Sequence, residues 1–319
     1  MRSMRYTAAL ALCLGLQACV SDPLAEDYAG PKPPPDELAA LFAYEKAKPL
    51  PEAQTLAKKD GFEITRVKLA VRDADGPDHE VVIDYYDVAD RKKKPVILVL
   101  PILGGGNQEA KYFASYFAGH GLAAAIVHRG AKEKDANSVD ELNRTFRRIV
   151  LDHRRALDWL ETRPELDHDR VGVFGVSAGG IKGALVAALD HRVKAAVLCL
   201  AGGDLPYILV HSTENGIRRR RDKVLDEQHI TADELYKTLK AGFQYDPLNF
   251  AHYIDARRVL LILASFDAVV PAKSGEALRR AIGEPKTVYL PTGHYGAVVF
   301  APWIRGEALG FLKDKLDWK

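Results

Sequence analysis

The run Arg170-Val171-Gly172-Val173-Phe174-Gly175-Val176-Ser177-Ala178-Gly179-Gly180 reads as a buried strand that breaks into a helix through Gly-x-Ser-x-Gly. Val171, Val173, Phe174 and Val176 make a short stretch of β-forming apolar residues. Ile181 to Leu189 is apolar and alanine-rich, as suits a helix packed on a sheet. A serine at such a corner has its hydroxyl pushed clear of the sheet. Small flanking residues let the strand and helix backbones come close together. On this reading Ser177 is a nucleophile. The plainer reading is a glycine-rich corner whose serine only caps a helix, so the surroundings of the pentapeptide must decide between them.

Outward from this corner the chain alternates. Upstream lies Val96 to Leu100, a continuous apolar run expected of a strand covered on both faces. Helix Gln108 to Ala118, strand Leu122 to Val127 and helix Ser138 to Glu161 follow, the last opening on the capping pattern Ser138-x-x-Glu141. Downstream come strand Ala195 to Leu200, strand Val259 to Ala264, helix Ser274 to Ile282, strand Lys286 to Leu290 and a helix from about Ala301. Earlier, Phe62 to Val71 and Glu80 to Val88 alternate apolar and polar residues across a Gly76-Pro77 turn, the pattern of an antiparallel hairpin at a sheet edge. The expected fold is α/β: a doubly wound, mainly parallel eight-stranded sheet. Residues 202–255 interrupt the alternation with helical patterns (Ile217 to Asp226, Ala232 to Leu239) and no strand. They are expected to form a helical cap over the carboxyl ends of the strands, where ligands bind in such sheets, or a surface elaboration without substrate contact.

Covalent acyl transfer needs a nucleophile, a base and a group that orients the base. After Ser177, Asp267 follows the strand ending Leu263-Ala264, and His294 lies in the loop after Leu290. Strand ends on one edge of a parallel sheet converge, so these distant residues can meet. The region from about Phe62 onward resembles the α/β-hydrolase superfamily, with a flavour of its dienelactone-hydrolase and prolyl-oligopeptidase-like esterase branches. Gly175-Val176-Ser177-Ala178-Gly179, Asp267-Ala268-Val269-Val270-Pro271 and Gly293-His294 carry the resemblance, in the order Ser, Asp, His. It implies Ser177 as nucleophile, His294 as base and Asp267 as orienting acid. Asp204, after the strand ending at Leu200, is the competing acid. Asp246 reads as a turn residue, and His128, His191 and His252 fit surface or strand-end positions.

An oxyanion hole needs two preorganised N–H donors. Ala178, at a helix N-terminus, is one. The loop Pro101-Ile102-Leu103-Gly104-Gly105-Gly106 supplies the other, Leu103 ahead of Ile102. The superfamily commonly has His-Gly there, from which Pro101-Ile102 departs. No Gly-Lys-Ser/Thr follows these glycines, so this is no phosphate loop.

The bulk composition is ordinary: 319 residues, 47% hydrophobic and 28% charged, with a formal net charge of +2 that gives no reason to expect nucleic acid as a partner. Arg218 to Arg221 reads as a solvated helix face, with a contact to anionic lipid or substrate as the alternative. Arg2 and Arg5 precede a short apolar core, Ala8 to Leu16, too short to span a bilayer as a helix. Leu16-Gln17-Ala18-Cys19 resembles a bacterial lipoprotein processing box, although Gln17 is less usual at its position. The resemblance implies residues 1–18 as signal peptide and Cys19 as the lipidated first residue. That would anchor the protein in the bacterial cell envelope, with Val20 favouring an outer membrane. An ordinary secretory signal cut near Ala18 and a cytosolic apolar helix are the alternatives.

Residues 19–60 read as a proline-rich tether (Pro31, Pro33, Pro34, Pro35) and a short helix capped by Asp36 and running to about Lys48. The hydrolase domain is then 61–319. Of three cysteines, Cys13 lies in the leader and Cys19 would carry lipid, which leaves Cys199 alone as a buried small hydrophobe. No Cys/His spacing suits zinc, and no metal or cofactor is expected. The expected activity is a carboxylesterase-like serine hydrolase on a small-molecule ester or related acyl substrate. A peptidase or thioesterase with the same triad, or a non-catalytic binding lipoprotein on the same fold, are the alternatives. Oligomeric state is not readable.

Overall fold

A computed structural model describes residues 19–50, 53–72, 77–89, 92–103, 105–130, 136 and 138–319. The leader, Gly76 and Gly104 lie outside these residues. Among them, no helix is long and apolar enough to cross a membrane.

The eight expected strands are present, as β4 (Phe62–Val71), β5 (His79–Val88), β6 (Lys94–Leu100), β7 (Ala123–Val127), β8 (Leu166–Val176), β9 (Val193–Cys199), β10 (Val259–Ala264) and β11 (Lys286–Leu290). Strands β6 to β11 run parallel in the order β11-β10-β9-β8-β6-β7, and β5 and β4 continue it antiparallel. The order reverses at β6, which gives off β7 on one side and β8 on the other and opens a crevice at their carboxyl ends.

Among the described residues the expectation of eight strands is corrected to eleven. β1 (Val20–Asp22) adds antiparallel to β11, while β2 (Lys48–Pro49) and β3 (Gln54–Lys59) pair with β4. The short pieces cover what would otherwise be open edges of unpaired backbone groups.

The continuous apolar run of β6 is explained by burial on both faces. Val96, Leu98 and Leu100 face one core layer and Ile97 and Val99 the other. Helices α3 (Val139–Leu160), α4 (Ala178–Leu189) and α9 (Ala272–Ile282) cover the first face through Leu157, Trp159, Ala184, Val186 and Leu278. Helices α2 (Gln108–Ala118) and α10 (Ala301–Lys315) cover the second through Phe113, Phe117, Ile304 and Leu312. Each large side chain so buried contributes about 1.5–3 kcal/mol against its exposed state.

The cap is helical, as read: α5 (Leu205–His211), α6 (Asn215–Gln228), α7 (Ala232–Gly242) and α8 (Pro247–Phe250). Leu205, Ile208, Phe243, Tyr245 and Phe250 share one core with Val150 and Leu151 of α3 and Ile181 and Leu185 of α4. Asn143 of α3 seals the seam, donating to the Gly242 carbonyl and accepting from the Gln244 N–H, each at 2.8 Å.

The tether is also corrected. Residues 19–47 are laid onto the domain. Beyond the β1 pairing, the Ala25 N–H donates to Glu284 O at 3.1 Å and the Lys32 N–H to His252 O at 2.8 Å. The Tyr28 hydroxyl donates to Ile254 O at 3.2 Å and accepts from the Ala256 N–H at 2.9 Å. The expected helix is short, α1 (Asp36–Leu41), and its N-cap is Pro35 without a side-chain bond. Phe42 follows it, 2% exposed, edge-on to Tyr245 and Phe250. A proline-rich composition favours extended backbone but does not forbid docking when aromatic side chains find pockets.

Candidate active site

Ser177 sits between β8 and α4 with φ 56° and ψ −123°, a strained conformation for a residue with a side chain. Its N–H donates to the Cys199 carbonyl at 2.8 Å and its carbonyl accepts from the Ile181 N–H at 3.0 Å, so both sides of the corner are held. The tightness explains the glycines. A Cβ on Gly175 would stand 2.3 Å from the Gly179 carbonyl oxygen. Ser177 makes no side-chain capping bond to α4, against the plainer reading of the pentapeptide.

The loops after β10 and β11 are zipped together by Ser265 N–H to Leu290 O and Phe266 N–H to Thr292 O, each 3.0 Å. This pairing brings Asp267 against His294. His294 Nδ1 lies 2.7 Å from Asp267 Oδ2, and His294 Nε2 lies 3.0 Å from Ser177 Oγ. Asp267 Oδ1 accepts from the Val269 and Val270 N–H groups, both at 2.9 Å, which fixes the carboxylate. The cap is pinned beside it, since the Thr213 N–H donates to Ala268 O at 2.9 Å.

Competing residues are engaged elsewhere. Asp204 accepts from the Tyr236 hydroxyl at 3.0 Å and from Lys240 Nζ at 3.1 Å, tying α7 to the start of α5. Asp246 accepts the N–H groups of Asp204, Leu205 and Leu248 and caps α8, the turn role its sequence suggested. His128 is paired with buried Asp84 at 2.9 Å. Cys199 is fully buried, and burial pushes its thiol well above its usual range.

The loop after β6 is organised by two residues that sequence reasoning missed. Arg129, just past β7, donates to the carbonyls of Ile102 and Leu103. In a trans peptide the C=O and the following N–H point opposite ways. Holding the Ile102 carbonyl on Arg129 therefore turns the Leu103 N–H the other way. Glu109, in the first turn of α2, has both carboxyl oxygens shut off from solvent. Burial pushes its carboxyl up to about 8, the Ile102 N–H and the Lys182 ammonium drawing it part of the way back down. His153, wholly buried on α3, is held down to about 4 by its burial and by Lys182. Nothing in the spacing of Glu109, Arg129, His153 and Lys182 marks them as neighbours.

The fold is of the α/β-hydrolase type. A model of the dienelactone hydrolase family matches residues 84–215. That span includes the loop after β6 and Ser177, and ends before Asp267 and His294. A thiohydrolase of Eupenicillium brefeldianum is 23% identical over 247 residues, 64% of this chain and 79% of the relative. Among solved structures, the acetyl xylan esterase from Paenibacillus sp. R4 superposes with a TM-score of 0.63 at 19% identity, covering 85% of this chain and 92% of its own. Acetyl xylan esterase 1 from Thermoanaerobacterium sp. JW/SL YS485 gives 0.60 at 20% identity, covering 88% and 96%.

Proposed function

We propose that the protein is a serine hydrolase that cleaves carboxylic esters through an acyl-enzyme. The carrying observation is the alignment of Ser177 Oγ, His294 and Asp267 at 3.0 and 2.7 Å. His294 Nε2 takes the proton as Ser177 Oγ attacks the acyl carbon, and Asp267 holds the imidazole in the required tautomer. The oxyanion is held by the Ala178 and Leu103 N–H groups, the first reinforced by the α4 dipole. His294 returns the proton to the leaving alcohol. It then takes a proton from water as that water attacks the acyl carbon, and passes the proton to Ser177 Oγ as the acyl–serine bond breaks and the acid leaves. No cofactor enters the sequence.

The acyl group is short on this reading, because the structures it resembles include acetyl xylan esterases. A thioester is the second reading, favoured by the likeness to a thiohydrolase over most of that relative's length. The lipoprotein-like processing box at Leu16 to Cys19 supports a location in the bacterial envelope, anchored by lipid on Cys19.

The test is hydrolysis of p-nitrophenyl esters from acetyl to palmitoyl, and of matching thioesters, with Ser177→Ala alongside. Turnover that vanishes in the variant and is greatest on short acyl chains supports the proposal. A folded protein inert to every ester and to a fluorophosphonate probe points instead to a binding lipoprotein.

A further inference from the structure

The antiparallel pairing of β1 on β11 has a directional consequence. Val20 stands opposite Tyr289 and Asp22 opposite Thr287. Strand β11 ends at Leu290, at the edge where Ser177, Asp267 and His294 gather. The chain therefore enters the domain at the catalytic edge. Cys19, one residue before the first paired position, has no spacer: one extended residue spans only about 3.3 Å. A lipid on Cys19 would hold this edge, and not the opposite one, close to the bilayer.

The same edge carries the exposed apolar side chains expected of a surface that meets lipid. Phe266, beside Asp267, is 73% exposed. Tyr295, Val298 and Val299, in the turn after His294, are 67%, 72% and 60% exposed, and Val20 is 61%. Contiguous exposed apolar groups on a soluble domain mark an interaction surface. On the cap at this edge, α6 buries none of its residues and exposes Arg218, Arg219 and Arg220. Among the described residues none of the three pairs with a carboxylate. Arg218 and Arg219 bond to Asn215, and Arg220 reaches the Ala136 carbonyl. Apolar groups flanked by free cations suit a layer with acyl chains beneath anionic headgroups.

We infer that the catalytic edge docks on an anionic bilayer, with Tyr295, Val298, Val299 and Phe266 against the acyl boundary and Arg218 to Arg220 on the headgroups. The inference rests on the proposed lipidation of Cys19. The mouth of the site then faces the membrane, and substrate reaches it along the interface.

The full chain, purified from membranes, is reconstituted into phosphatidylethanolamine–phosphatidylglycerol vesicles with brominated acyl chains. An environment-sensitive fluorophore is placed at Val299→Cys or, as a control near the start of β8, at exposed Asp169→Cys. Intact mass reports acylation of Cys19 separately. The expected result is acylated protein whose label at 299 loses most of its emission to the brominated lipid while that at 169 keeps it. Charge reversal of Arg218, Arg219 and Arg220 to Glu is expected to reduce the loss. Acylated protein with equal quenching at the two positions overturns the docking and leaves the anchor standing. Unacylated Cys19 overturns the anchor and the docking with it. A blue shift at 299 that occurs without vesicles shows the patch covered by a second copy, which also overturns it. Unchanged quenching after charge reversal removes the arginines from the surface.

Discussion

A side-chain carbon on Gly179 would stand 2.1 Å from the carbonyl oxygen of Leu100, so the helix behind the nucleophile lies directly on the end of β6. This contact sets the spacing between the Ala178 N–H and the loop that carries Leu103. The obstructing atom is backbone in a central strand and cannot swing away. Gly179→Ala is expected to cost about 3 kcal/mol or more and to abolish turnover. Gly306, inside α10, has nothing within 4 Å of its added carbon. Gly306→Ala is expected to stabilise by up to about 1 kcal/mol. Urea denaturation of both variants checks the pair; equal effects would refute the close-approach account.

Asp267→Asn separates charge from shape. The amide oxygen can still accept the Val269 and Val270 N–H groups that fix the carboxylate at 2.9 Å. Its other end no longer accepts from His294 Nδ1, so the imidazole loses its orienting charge and takes the wrong tautomer. The expected result is a kcat fall of about 10³–10⁴-fold with little change in Tm. A fall of less than about ten-fold would remove Asp267 from the proposed triad.

The elbow and the partners of Ser177 were legible because they obey local rules. Gly175 to Gly179 is contiguous, and Asp267 and His294 each lie a few residues past an apolar run whose end marks the edge of the sheet. The strand status of Val20 to Asp22 was not, because it depends on Tyr289 and its neighbours at the other end of the chain. Glu109 was hidden for another reason. An acid in the first turn of a helix ordinarily answers the helix dipole in water. Only the folded chain, which brings Ile102 and Lys182 near it, shuts its carboxyl oxygens off from solvent.

Tyr28 tests the docked N-terminal segment. Its hydroxyl bridges Ile254 O and the Ala256 N–H, and its ring covers Gly283, where an added carbon would stand 2.5 Å from the ring. Tyr28→Ala is expected to cost about 1–3 kcal/mol. It should also open residues 23–35 to proteolysis, read by mass spectrometry of the cleaved products. Unchanged stability and cleavage would restore the free tether.

Glu109 predicts a pH dependence of stability with a definite sign. In the unfolded chain its carboxyl ionises near the ordinary value of 4.5, and in the folded protein near 8, because burial opposes the charge. Between these values the folded state holds a proton that the unfolded state has lost. Its contribution is therefore present below about pH 4.5 and is lost as pH rises through 8. Glu109→Gln removes this titration while keeping the side chain's size and shape. Thermal melts of the two proteins should move apart as pH rises from 5 to 9, the variant becoming the more stable relative to the native chain, and should run parallel above that range. Curves that stay parallel throughout would show that Glu109 is already ionised beneath the loop. The neutral carboxyl assigned to this site would then be wrong.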